Sequence, residues 1–154
     1  METDDFASVA RALPELVATL EPPAQQWDRY SDFACYMLML SGPTKIDLIF
    51  PGERQHWAPA WDPSPETLEA IDLHFWDWAL WLEQKRRHRR DAQLEKSLGD
   101  MFELLLAPMG VLDPPGSIED AVDSYVAARS ELERRFGSTV SRSLEAAVRP
   151  ALSR

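Results

Sequence analysis

Apolar residues recur at intervals of three and four along most of the chain, which predicts amphipathic helices joined by loops. We expect a first helix over about residues 4–20, where Pro14 allows a break because an interior proline removes a backbone hydrogen bond. Proline, serine and glycine signals delimit four further predicted helices, over about 65–90, 92–106, 117–136 and 138–149. The first of these four is apolar around much of its circumference, so we expect it to pack on several sides.

Two short apolar runs between the first and second helices follow a different pattern and predict strands. Residues 32–40 are apolar on both faces, as in a buried strand, although periodicity alone is also compatible with a helix. A Ser-Gly-Pro-Thr turn then leads into a second run over 45–50. We therefore predict two adjacent antiparallel strands, 32–40 and 45–50.

These elements predict an α+β fold, in which a small antiparallel sheet of about two strands packs on a bundle of about four helices. We expect residues 1–56 to form a partial α/β region and residues 57–154 a helical region, and the two to make up one compact unit. A chain of 154 residues with 45% hydrophobic residues is long enough and apolar enough for one such core.

One polar residue interrupts the second strand. Asp47 lies at its centre, and the alternation of a strand puts Lys45 and Asp47 on one face and Ile46, Leu48 and Phe50 on the other. A carboxylate is disfavoured in a strand centre and costly to bury without a partner. Asp47 therefore either faces water, where Lys45 can pair with it, or belongs to a site.

The distribution of charge argues against nucleic acid as a partner. The formal net charge of −10 repels a duplex backbone at long range. Basic side chains cluster only at residues 85–90. That cluster can hold an anion such as a triphosphate, or it can be a solvated helix end whose charge suits the helix dipole. We favour the helix end, because no aromatic residues alternate with the basic ones.

Cysteine usage and hydropathy indicate the compartment. Cys35 is the only cysteine, which leaves no disulfide within the chain and no cysteine metal cluster. No apolar run approaches the roughly 18 residues of a membrane span, and the acidic residues 1–5 lack the pattern of a signal peptide. We expect a soluble, cytoplasmic protein with no membrane partner.

The run Lys45-Ile46-Asp47-Leu48-Ile49-Phe50, followed by an aromatic loop and a Trp-rich helix over 57–82, resembles the nucleotidyltransferase superfamily with the polymerase-β-like fold. The similarity is greatest to its small antibiotic- or protein-modifying members. In that family, three carboxylates bind two magnesium ions and support the transfer of a nucleoside monophosphate from a nucleotide triphosphate such as ATP to an acceptor hydroxyl.

The resemblance implies roles for four residues. Asp47 would be the third carboxylate, both catalytic and metal-binding, with Mg²⁺ as the cofactor. Lys45, Trp57 and Trp61 would bind the substrates, the two tryptophans as a wall of the pocket for a small-molecule acceptor.

The chain departs from the family pattern before this strand. A Gly-Ser pair followed by Asp-x-Asp is missing there: Asp28 and Asp32 have the wrong spacing, and Asp4 and Asp5 are adjacent. The resemblance thus implies a truncated or split member that starts just after the first two strands of the family. A single carboxylate does not hold two magnesium ions, which argues against transfer by this chain alone.

Other candidates have plainer explanations. Trp76, Trp78 and Trp81 could stack on a base, but aromatic residues at helical spacing are more often core. The three histidines, His56, His74 and His88, do not have the spacing of a zinc site.

The alternative function is a non-catalytic helical interaction module. A sheet of two strands is marginal alone, and its open edge favours pairing with a partner chain or with a second copy as a homodimer. Under either function we expect a homo-oligomer or a partner chain.

Overall fold

The computed structural model describes residues 6–28, 33–42, 44–54 and 62–152. Contacts divide the chain into two compact units, Met1–Pro59 and Ala60–Arg154. In their described residues, the first contains a helix and a sheet, and the second contains helices. The predicted α+β class is therefore confirmed. No helix among the described residues is long and apolar enough to cross a membrane.

The described part of the first unit consists of one helix and a three-stranded antiparallel sheet. Its elements are α1 (Phe6–Ala18), β1 (Ala24–Trp27), β2 (Ala34–Leu40) and β3 (Thr44–Phe50). The strands lie in the order β1-β2-β3, with Trp27 opposite Tyr36 and Met37 opposite Asp47. The two predicted strands are present and adjacent, and β1 adds a third that we did not predict. Its four residues, Ala-Gln-Gln-Trp, are too short and too polar to show an alternating pattern.

Helix α1 packs on one face of this sheet. Leu13 and Val17 of the helix form a cluster with Tyr36 and Leu38 of β2, joined by partly buried side chains from β1 and β3. Pro14 lies inside the helix without ending it. An interior proline costs about 3 kcal/mol, and the contacts of Leu13 and Val17 with the sheet offset that cost. The break that we considered at Pro14 does not occur.

The described part of the second unit is a bundle of four α-helices with a π-helical turn. It comprises α2 (Leu68–Arg87), α3 (Asp91–Met101), the π-turn (Phe102–Leu106), α4 (Ile118–Phe136) and α5 (Ser143–Leu152). Helix α2 buries Ile71, Phe75, Trp76 and Leu82, which are no more than 1% exposed. The prediction that α2 packs on several sides is confirmed.

Helix α4 begins and ends at residues that cap helices. The Ser117 hydroxyl accepts a hydrogen bond of 3.0 Å from the Asp120 amide at the start of α4. Gly137 ends that helix at φ +66°, in the left-handed region that favours glycine. The amino terminus of α2 differs from the prediction, because residues 65–67 form a turn held by the Thr67 hydroxyl, which bonds the Asp62 carbonyl at 2.9 Å.

The third and the last helix of the chain differ from the helices that the sequence predicts. The predicted helix over 92–106 changes to a π-turn after Met101, where the Ala107 amide donates to the Phe102 carbonyl at 2.8 Å. This wider turn allows consecutive residues Leu105 and Leu106 to be buried together. The last helix begins later than predicted, at Ser143, and continues through Pro150 to Leu152.

Candidate functional site

Asp47 is accessible to solvent in the centre of β3. Its side chain is 32% exposed, and Oδ2 lies 3.2 Å from Nζ of Lys45, whose side chain is 11% exposed. Strand alternation places both on the sheet face opposite α1, and Asp47 lies across from the buried Met37 of β2. This is the geometry of the plainer alternative, a strand aspartate that faces water and pairs with its lysine neighbour.

The described residues do not fit a two-magnesium centre. Across residues 6–28, 33–42, 44–54 and 62–152, no group of three or more His, Cys, Asp or Glu side chains could hold a metal ion. Asp47 is a single carboxylate with a lysine as its ion-pair partner. Two hard cations need several oxygen ligands, so no metal-dependent step can be derived from these residues. Trp57, Trp61 and His56 lie outside the described part of the chain.

The tryptophans of α2 have different environments. Trp76 is fully buried, with its ring edge-on to Tyr125 at 5.9 Å, which confirms its expected place in the core. Trp78 and Trp81 are partly exposed. Trp78 lies edge-on to His74 at 5.7 Å, and the Lys85 ammonium sits 4.4 Å from the centre of the Trp81 ring, which is a cation–π contact.

The most elaborate polar arrangement in the described residues is a buried network around Asp72 of α2. Its Oδ1 accepts hydrogen bonds from the Trp76 indole at 3.1 Å, the Tyr125 hydroxyl at 2.6 Å and the Arg129 guanidinium at 2.8 Å. These four side chains are at most 2% exposed. Glu145 of α5 binds the other side of Arg129 at 2.5 Å. The network joins α2, α4 and α5 through charge-assisted hydrogen bonds.

Burial and pairing shift the pKa values of Asp72 and Arg129 in opposite directions. Burial raises the pKa of Asp72, and the hydrogen bonds from Tyr125 and Arg129 offset part of that rise. Burial likewise lowers the pKa of Arg129, but its hydrogen bonds to Glu145 and Asp72 outweigh burial and hold it above its usual value. For Tyr125, burial and then the Asp72 charge raise the pKa far above its ordinary value. Tyr125 therefore remains a neutral donor, and Arg129 remains charged.

A shallow groove opens next to this network between α4 and α5. It encloses about 660 Å³ and is lined by Arg129, Arg142, Glu145 and Arg149 together with small and apolar residues. Each arginine already has a carboxylate partner: Arg142 binds Glu133 at 2.6 Å, and Arg149 binds Glu145 at 3.0 Å. An anion would have to displace these partners, so the groove is better explained as the outer rim of the packing between α4 and α5.

Two arginines of the basic cluster at 85–90 bind the end of α5. Arg86 donates to the Leu152 carbonyl at 2.6 Å, and Arg87 donates to the Ala151 carbonyl at 2.9 Å. Both also contact the buried Glu83. Cations are favoured near the carboxyl-terminal carbonyls of a helix. Arg86 and Arg87 lie at the carboxyl end of α2 and also bind the carboxyl end of α5. These contacts also explain why α5 extends beyond Pro150.

Sequence reasoning did not find the Asp72 network. A signal was available: an aspartate lies four residues before Trp76 on the apolar face of α2, where a charge needs a buried partner. The partners themselves, Tyr125, Arg129 and Glu145, are more than 50 residues away and appear in the sequence as ordinary helix residues.

No family model, curated protein or solved structure matches this chain.

Proposed function

We propose that this chain is a nucleotidyltransferase-like protein, in which Asp47 is one carboxylate of a nucleotide site whose other ligands lie outside the described residues, in the same copy of the chain or in a second one. The proposal rests on the resemblance of residues 45–50 to the third-carboxylate strand of that superfamily. We place the protein in the cytoplasm, in keeping with its single cysteine.

The observation that supports this proposal is the accessibility of Asp47. A strand-centre carboxylate is otherwise disfavoured, and this one is neither buried nor part of a packed network: about a third of its side chain is exposed. It can reach a ligand without any rearrangement of the sheet. Lys45, 3.2 Å from it, supplies a cation that could contact a phosphate.

Calorimetric titration of the purified chain with ATP and with GTP, with and without magnesium, tests the proposal. We expect magnesium-dependent binding that Asp47→Asn weakens at least about tenfold, because the amide keeps the shape and removes the charge that a divalent cation requires. Asp100→Asn is the matched control, since Asp100 is also accessible and pairs with Lys96 at 3.0 Å in the helical unit.

Two results would contradict the proposal. One is a folded wild-type chain that binds neither nucleotide in magnesium. The other is binding of equal strength in Asp47→Asn and Asp100→Asn, which would place the nucleotide away from β3.

The second candidate function is a non-catalytic interaction module that works through a second copy of the chain. The observation that favours it is the position of β3, which has a partner strand on only one side among the described residues. Ile49 in that strand is 53% exposed. Sedimentation velocity over a range of concentrations distinguishes a monomer from a self-associating chain.

A further inference from the structure

We propose that two copies of this chain pair through β3, antiparallel about a two-fold axis at Ile46, so that Lys45 of each copy lies opposite Asp47 of the other. The inference rests on the second candidate function and specifies its surface and register.

The outer edge of β3 is suited to strand addition. The described sheet ends at this strand, and its seven residues, Thr44–Phe50, contain no proline that would block pairing. Thr44, Asp47 and Ile49 are exposed along it. An edge strand presents a row of backbone donors and acceptors, and antiparallel addition of an identical strand produces a closed dimer with one continuous sheet.

Side-chain alternation restricts the register. Residues that pair directly have side chains on the same face of a sheet. In a sheet that continues across a two-fold axis, one residue of β3 must therefore pair with the same residue of the second copy. The axis cannot pass midway between two residues of the strand, because side chains of opposite faces would then pair. With Ile46 on the axis, Thr44 pairs with Leu48 and Lys45 pairs with Asp47 of the second copy.

Charge complementarity favours this register over its neighbours. With Asp47 on the axis, the two Asp47 carboxylates would face each other directly, and with Lys45 on the axis the two lysines would do so. With Leu48 on the axis, Asp47 would lie opposite the apolar Ile49 of the second copy. The Ile46 register gives each charge an opposite charge across the interface.

The pairing adds to the ion pair within each strand instead of replacing it. Lys45 and Asp47 already lie 3.2 Å apart in one copy. In the dimer, Lys45 and Asp47 of the two copies would form a group of four side chains. Each side chain would have an oppositely charged neighbour in its own strand and another across the interface, and like charges would lie only on the diagonals. A lysine ammonium has three donors and a carboxylate has several acceptor sites, so the contact across the interface does not require either group to give up the contacts that it already makes. Such networks contribute more than isolated surface pairs.

Charge reversal tests the register directly. We expect wild-type chain to dimerise in sedimentation velocity, and Lys45→Asp or Asp47→Lys to weaken the dimer roughly tenfold or more, because like charges then face each other twice. The double variant Lys45→Asp/Asp47→Lys restores every opposite pair and should dimerise like wild type. A mixture of the two single variants should form a heterodimer, since both carboxylates of one copy then face lysines of the other.

Circular dichroism of each variant tests whether the folded structure is retained, and the double variant controls for the loss of the pair within the strand. A dimer that all variants form equally well would overturn the register while leaving a self-associating module in place. A wild-type chain that remains monomeric at high concentration would overturn both the register and self-association.

Discussion

Each of the two units pairs an aspartate with a basic side chain, and the two pairs lie in different environments. In the sheet, Asp47 pairs with Lys45 at 3.2 Å and keeps about a third of its side chain in water. In the helical bundle, Asp72 pairs with Arg129 at 2.8 Å, and both side chains are at most 3% exposed. A pair whose carboxylate remains partly in water contributes little to stability and stays open to a ligand, whereas a fully buried pair is costly to break and has no accessible carboxylate.

The neighbours of the two aspartates explain this difference. Asp72 receives hydrogen bonds from three side chains of two helices, and all three are to Oδ1 of its buried carboxylate. The described contacts of Asp47 come from one lysine two residues away in the same strand. We therefore assign a structural role to Asp72 and direct functional experiments at Asp47.

The largest expected effect comes from removing one partner of the buried pair. Arg129→Leu leaves the Asp72 carboxylate buried without a cation, and we expect a loss of about 3–5 kcal/mol in the free energy of unfolding. Urea denaturation measures this loss. Arg134→Leu is the matched control in the same helix, because Arg134 is 74% exposed and pairs with the exposed Glu131; we expect a change within about 0.5 kcal/mol.

A second substitution separates the charge from the packing at this site. Asp72→Asn added to Arg129→Leu should recover part of the lost stability, since an amide oxygen still accepts from Trp76 and Tyr125 and needs no cation. If Arg129→Leu alone unfolds no more easily than Arg134→Leu, the buried pair does not carry the structural role that we assign to it.

A smaller effect is expected on the decrease in folding stability at acidic pH. Burial raises the pKa of Glu145, but the hydrogen bonds and charges of Arg129 and Arg149 outweigh burial and lower it below its ordinary value. A carboxylate with a lowered folded pKa contributes stability above its unfolded pKa, and that stability is lost as the pH falls through the folded value. Glu145→Gln should therefore flatten the decrease in stability between about pH 5 and pH 3.

Thermal unfolding at several pH values measures that slope for the wild type and for Glu145→Gln. Glu131→Gln serves as a comparison, because Glu131 also has a lowered pKa, owing to its hydrogen bond from Arg134, but lies on the surface of α4 away from the network. A profile for Glu145→Gln that is as steep as the wild-type profile would show that the contacts of Glu145 are not retained in solution.

The smallest effect is expected in the sheet. Asp47→Asn should change the free energy of unfolding by less than about 1 kcal/mol, because Asp47 keeps about a third of its side chain in water and a solvent-screened ion pair contributes little. Urea denaturation of this variant beside Arg129→Leu tests the comparison directly. A loss of several kcal/mol in Asp47→Asn would mean that Asp47 is a structural residue like Asp72.

The sequence predicts helices and strands correctly where the prediction depends on a pattern of neighbouring residues. The spacing of apolar residues located the five helices of the described residues, and the Ser-Gly-Pro-Thr turn correctly separated β2 from β3. Ser117 and Gly137 marked the ends of α4 because capping is a local interaction between neighbouring residues. The short strand β1 was missed because four residues carry too little pattern, and its formation depends on pairing with β2.

The sequence alone predicts the α+β class, the alternation that puts Lys45 and Asp47 on one face of a strand, and the resemblance on which the proposed function rests. These properties depend on residue types at short spacing. The packing of the helices brings Asp72, Tyr125, Arg129 and Glu145 together in one network and places Arg86 and Arg87 at the end of α5. Those contacts join residues 16 to 66 positions apart, and the packing of the helices, rather than any local pattern, selects the partners.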